Sequence, residues 1–62
     1  MKYKIVSVEK IKISKKGLSF LDVTMFVRNI NDSEDVEPQK MTKTFTRREW
    51  ERVDKNGEFE DW

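Results

Sequence analysis

The side chains that most often perform catalysis are missing or isolated in this sequence. There is no Cys and no His, which removes the thiolate nucleophile, the commonest general base and the commonest metal ligand. Ser7, Ser14, Ser19 and Ser33 offer hydroxyls, but none has an activating base near it in the sequence. Glu9, Asp22 and the acids of residues 32–37 could in principle supply an acid–base carboxylate pair. A chain of 62 residues has little room to enclose the pocket such a pair requires. The expectation is a binding module with no catalytic residue, no metal and no cofactor.

Three sets of residues are suited to binding. The first is the acidic stretch with Asp32, Glu34, Asp35 and Glu37. In composition it resembles a calcium loop, but the glycine of the sharp turn and the glutamate at loop position twelve are not in place. It is a solvated turn or a surface for a basic partner. The second set is Arg48 and Arg52, four residues apart and so on one side of a helix. With Trp62, and with Trp50 and Phe59 nearby, they have the makeup of an interface hot spot. Arg47 is the third arginine of that helix, and Glu51 four residues on is its local ion-pair partner. The third set is Lys2, Lys4, Lys10 and Lys12, spaced to follow a phosphate backbone, with Tyr3, Phe20 or Phe26 as a stacking platform. Lysines on an exposed strand also discourage edge-to-edge aggregation.

Something has to hold these residues in place, and the hydrophobic pattern says what. Residues 2–14 are β-branched and Lys-rich with no Gly or Pro, which predicts a strand. Tyr3 and Ile5 share one phase, Val6 and Val8 take the other, and Ile11 and Ile13 return to the first. A slip of one residue turns side chains to the opposite face, so the strand is expected to be bulged or strongly coiled. Lys15-Lys16-Gly17 predicts a turn. Residues 18–28 predict a second strand. Leu21, Val23, Met25 and Val27 form one phase, and Leu18, Phe20 and Phe26 belong to the other.

Residues 29–38 are crowded with Asn, Asp and Ser and end in Pro, as a loop requires. Residues 39–45 predict a third strand with Met41 and Phe45 in phase. Thr46-Arg47-Arg48-Glu49 has the spacing of a capping box, so a helix is expected from about 47 to 54, with Trp50 and Val53 on its buried side. Asn56-Gly57 supplies a left-handed stop. Phe59 and Trp62 argue that residues 58–62 dock as a tail or a short fourth strand. The predicted architecture is one α+β domain over residues 1–62, a three-stranded antiparallel β-meander with one short C-terminal helix packed on it.

Charged residues make up 40% of the chain, yet the net charge is only +1. Residues 1–28 carry seven Lys or Arg against Glu9 and Asp22, and residues 29–38 carry four acids and no base. A uniformly basic nucleic-acid binder has a different balance. No apolar run approaches a membrane span, and no signal-peptide pattern follows Met1-Lys2. With no cysteine, a cytoplasmic protein without membrane contact is expected.

Asp22-Val23-Thr24-Met25, an acidic turn, a strand, and then Thr46, Glu49, Trp50, Glu51 and Val53 at a helix entry resemble the small phage-encoded inhibitors of host uracil-DNA glycosylase. The resemblance implies three strands and a helix, dimerisation, and occupation of an enzyme's DNA groove by DNA mimicry. It assigns no role to any single residue, and the basic first strand departs from it. Two functions follow as expectations. One is a homodimeric protein-binding module, a phage-type accessory protein or inhibitor of a host enzyme, working through Asp32, Glu34, Asp35, Glu37, Arg48, Arg52 and Trp62. The alternative is a nucleic-acid-binding domain working through Lys2, Lys4, Lys10 and Lys12. The homodimer is expected to bury an apolar patch of Leu18, Phe20 and Phe26.

Overall fold

The computed structural model describes residues 1–60. Along the chain these form β1 (Lys2–Ile13), β2 (Phe20–Asn29), β3 (Gln39–Thr46), α1 (Arg47–Asn56) and β4 (Glu58–Glu60). All pairings are antiparallel, and the sheet order is β3-β2-β1-β4. The α+β meander with a C-terminal helix and a short fourth strand is therefore present. β4 lies beside β1, at the far side of the sheet from the strand that precedes the helix.

The phase slips of β1 are two bulges. Register shifts occur between Ile5 and Ser7 and between Val8 and Lys10, leaving Val6 and Glu9 as the extra residues. Each bulge inserts one residue and restores the alternation. Tyr3, Ile5, Val8, Ile11 and Ile13 consequently lie opposite Asn29, Val27, Met25, Val23 and Leu21 of β2, all on one face. Val8 thus belongs with Tyr3 and Ile5; only Val6 falls out of phase.

That face carries the core. Leu21, Val23, Met25 and Val27 of β2 are buried, together with Tyr3, Phe45, Trp50 and Phe59. The aromatic rings interlock across four elements. Tyr3 stacks on Phe59 at 5.6 Å between centroids, Phe59 meets Phe45 edge-on at 5.5 Å, and Phe45 lies 5.6 Å from Trp50. Such pairs add about 0.5–1.5 kcal/mol each beyond their buried area, a useful share in a chain too short for a large core.

The capping box holds α1 at its start. Thr46 Oγ1 accepts from the Glu49 amide at 3.1 Å, and Glu49 Oε1 accepts from the Thr46 amide at 2.9 Å. The Thr46 amide, and then the Thr46 hydroxyl, favour the ionised carboxylate and hold the Glu49 carboxyl below its ordinary value. Gly57, at φ 74°, ends the helix and donates its amide to the Val53 carbonyl at 2.8 Å. A side chain there would be strained in the left-handed conformation. Arg47 does more than open the helix. Its Nε donates to the Leu18 carbonyl at 2.7 Å and its amide to the Ser19 carbonyl at 3.0 Å, fastening the β1–β2 turn to the helix start.

Two expectations need correction. Leu18 is in that turn rather than on β2, and it is 75% exposed. Phe20 and Phe26 are half-buried. The apolar patch expected from these three residues is therefore not continuous, because β2 begins only after the turn closes through Phe20 N to Gly17 O.

Candidate functional site

α1 packs against β2, β3 and β4 on the core face. Among the described residues no helix covers the other face of the sheet, whose composition follows from the register. Ser7, Phe26 and Lys40 form one row across β1, β2 and β3. Lys10, Thr24 and Thr42 form the next, and Lys12, Asp22 and Thr44 the one after. Lys4 lies opposite both Arg28 and Glu58 at the other end, and Phe20 lies opposite Thr46. The two aromatics are six residues apart on β2, about 20 Å along the strand, with a polar strip between them.

The central strip is held by hydrogen bonds. Thr24 and Thr42 share one between their hydroxyls at 3.1 Å, and the Thr44 hydroxyl donates to Asp22 Oδ1 at 2.6 Å. The second of these bonds occupies the Asp22 carboxylate with a neutral partner. Lys40 pairs with Glu9 at 3.1 Å, crossing β2 beside Phe26, and Lys2 pairs with Glu58 at 3.2 Å. Glu9 reaches Lys40 because the bulge places it with Lys10 on this face. Exposed pairs of this kind contribute little stability. Among the described residues, Lys4, Lys10 and Lys12 have no carboxylate partner.

The sequence-predicted residues therefore separate into groups. Lys4, Lys10 and Lys12 share the open face with Phe20 and Phe26, and Lys2 stands at its edge. Tyr3, expected as a stacking platform, is buried against Phe59, because its position in β1 faces the core. Asp32, Glu34, Asp35 and Glu37 are all exposed in the β2–β3 loop. Local bonds shape that loop: Asn29 Oδ1 accepts from the Asn31 amide at 3.0 Å, and Arg28 Nε donates to the Val36 carbonyl at 2.6 Å. Asp32 and Glu37 border a shallow cleft with Met1, Tyr3 and Arg28, whereas Arg52 borders a different one with Lys43, Phe45 and Glu49.

Arg48 and Arg52 are exposed on α1. Trp50, expected on the buried side of the helix, and Phe59, expected to dock, are both buried in the core and add nothing to that surface. Trp62 lies outside the described residues. Arg28 and Lys40 join the basic face although no sequence pattern singled them out. Arg28 shares its phase on β2 with Phe20 and Phe26, and Lys40 lies opposite Phe26 in the regular β2–β3 register.

Among the described residues, no group of three or more His, Cys, Asp or Glu is arranged to hold a metal ion. No helix of these residues is long and apolar enough to cross a membrane. Comparisons with protein-family models, with curated proteins and with solved structures return no match.

Proposed function

We propose that this protein is a non-catalytic, cytoplasmic module that binds single-stranded nucleic acid on the open face of its sheet. One observation carries the reading: the bulged register sets Lys4, Lys10 and Lys12 on the same uncovered face as Phe20 and Phe26. Cations that follow a backbone and aromatic faces that accept bases are the two components of sequence-tolerant single-strand binding. The threonine strip between them supplies hydroxyls for phosphate or sugar contacts. Residues 32–37 repel the same ligand, which confines it to the strands.

The test is fluorescence anisotropy of a labelled single-stranded oligonucleotide over a salt series. Three phosphate contacts through Lys4, Lys10 and Lys12 give a log–log slope of about −2. Replacing all three by Gln should flatten that slope. Phe26→Ala should weaken binding by about 1–3 kcal/mol, the worth of one stacked base. Absence of binding to DNA and RNA oligonucleotides at low salt would refute the proposal.

A second reading, a protein-binding inhibitor of phage type, is supported by the four exposed carboxylates of one ordered loop. If Asp32, Glu34, Asp35 and Glu37 steer a basic protein partner, neutralising them to Asn and Gln should slow association and leave folding intact. Stopped-flow measurement with a captured partner checks this; an unchanged rate returns the loop to a solvated turn.

A further inference from the structure

We propose that a second copy of this chain pairs antiparallel with the outer edge of β1, joining two sheets across a two-fold axis. β4 occupies that edge only at Lys2, Tyr3 and Lys4, with one further bond from the Ile5 amide to the Gly57 carbonyl. Beyond it, residues 7–13, apart from the bulge residue Glu9, pair with β2 on one side and have no strand on the other among the described residues. The same stretch carries the apolar exposure. Val8, Ile11 and Ile13 point to the core face but are 39%, 46% and 52% exposed, because α1 does not reach β1.

The identity of the partner is argued from register and charge. With the axis between Glu9 and Lys10, Ser7 lies opposite the other copy's Lys12, Val8 opposite its Ile11, and Glu9 opposite its Lys10. Each of these three pairs joins residues of the same face, as antiparallel pairing requires, and the matched register ends there, because the bulge at Val6 sets it out of phase with Ile13. In β1 itself, Val8 and Ile11 face the core, and Ser7, Lys10 and Lys12 face away. The bulge at Glu9 ordinarily spoils an edge for pairing. Here each copy brings the same extra residue to the axis, so bulge meets bulge and the mismatch cancels. The central pairs are oppositely charged twice over, once on each side of the axis. A foreign strand would need this same doubled residue and this same charge order; a second copy has both by symmetry. The two-fold runs perpendicular to the sheet, so both open faces end on one side. Self-association is independent of whether those faces bind nucleic acid.

Sedimentation velocity from micromolar to millimolar protein tests the proposal. The chain should pass reversibly from monomer to dimer and no further, since a two-fold contact closes. Glu9→Lys and Lys10→Glu, each alone, place like charges opposite one another on both sides of the axis and should weaken association about tenfold. The double variant restores opposite charges and should recover it. That recovery separates a contact across the axis from loss of the Glu9–Lys40 pair, which the double variant does not restore. Ile11→Asp, at an exposed position, should give a folded monomer by circular dichroism. A monomer at every concentration, a double variant no better than the singles, or a dimer abolished only by Phe26→Lys on the open face would overturn it. The first of these outcomes would leave the lysines and bulges of β1 as guards against pairing.

Discussion

β2 shows two faces to two different environments. Toward α1 it presents Leu21, Val23, Met25 and Val27, all buried, with Val23, Met25 and Val27 wholly inaccessible. Away from α1 it presents Phe20, Asp22, Thr24, Phe26 and Arg28, all half-buried. One face is closed by rings from four elements. The other is closed only by side chains of neighbouring strands, through one hydroxyl pair, one hydroxyl–carboxylate bond and one ion pair. Alternation along a single strand has divided the labour: stability is concentrated on one side, leaving the other free to vary its chemistry. A chain this small has few other ways to keep a binding surface from competing with its core.

The sharpest way to break this contrast is to truncate one phenylalanine on each face. Phe45→Ala removes a ring that touches both Trp50 and Phe59 and should cost about 3–5 kcal/mol, a large part of a small domain's stability. Phe26→Ala should cost far less in urea unfolding while losing oligonucleotide affinity. Equal destabilisation by the two changes would mean that the open face is a second core. Next in size is the junction between sheet and helix. Thr46→Ala should lower stability by about 1 kcal/mol, as expected for loss of an N-cap side chain; an unchanged denaturant midpoint would mean that the capping box does not hold α1. On the open face, replacing Lys10 and Lys12 by Gln should leave stability within about 0.5 kcal/mol of the parent.

The smallest effect is a pH dependence. The Glu49 carboxyl is held below its ordinary value by the Thr46 amide and then by the Thr46 hydroxyl, so folding favours its ionised form. Its contribution is complete above the unfolded value of 4.5 and is lost as pH falls through the lower folded value. The stability gap between the parent and Glu49→Gln should therefore be open at neutral pH and closed in acid. A gap that persists unchanged in acid would remove the carboxylate from the cap.

Local chemistry was legible in the sequence, and long-range pairing was not. The capping box, the Gly57 stop and the bulged character of β1 each depend on residues within a few positions of one another, and each is present. The positions of the bulges were harder to see. Val6 and Val8 look alike in sequence, and only the partners Phe26 and Met25 tell which is the extra residue. The common phase of Lys4, Lys10 and Lys12 survives that ambiguity because the two shifts cancel between Lys4 and Lys10, whereas Lys40 joins them only through the long-range β2–β3 register. Leu18 was misplaced because its apolar character resembles that of β2, while the hydrogen bonds of the turn keep it outside. The destination of residues 58–60 lay beyond any local signal, since a three-residue strand has no pattern of its own that favours β1 over β3.

The β1–β4 pair has a kinetic consequence. Lys2 opposite Glu60 and Tyr3 opposite Phe59 join segments more than fifty residues apart, whereas the β1–β2 and β2–β3 pairs close across single turns or loops. Loop closure penalises the distant pair, so β4 is expected to dock after the meander and the helix have formed. Phe59→Leu should then speed unfolding while scarcely slowing refolding. By the same reasoning, the Ile5 amide, which donates to Gly57, should exchange its hydrogen sooner than the inner amides of β2. Native-state hydrogen exchange would show this as partial opening at one end of the sheet, well below the free energy of global unfolding.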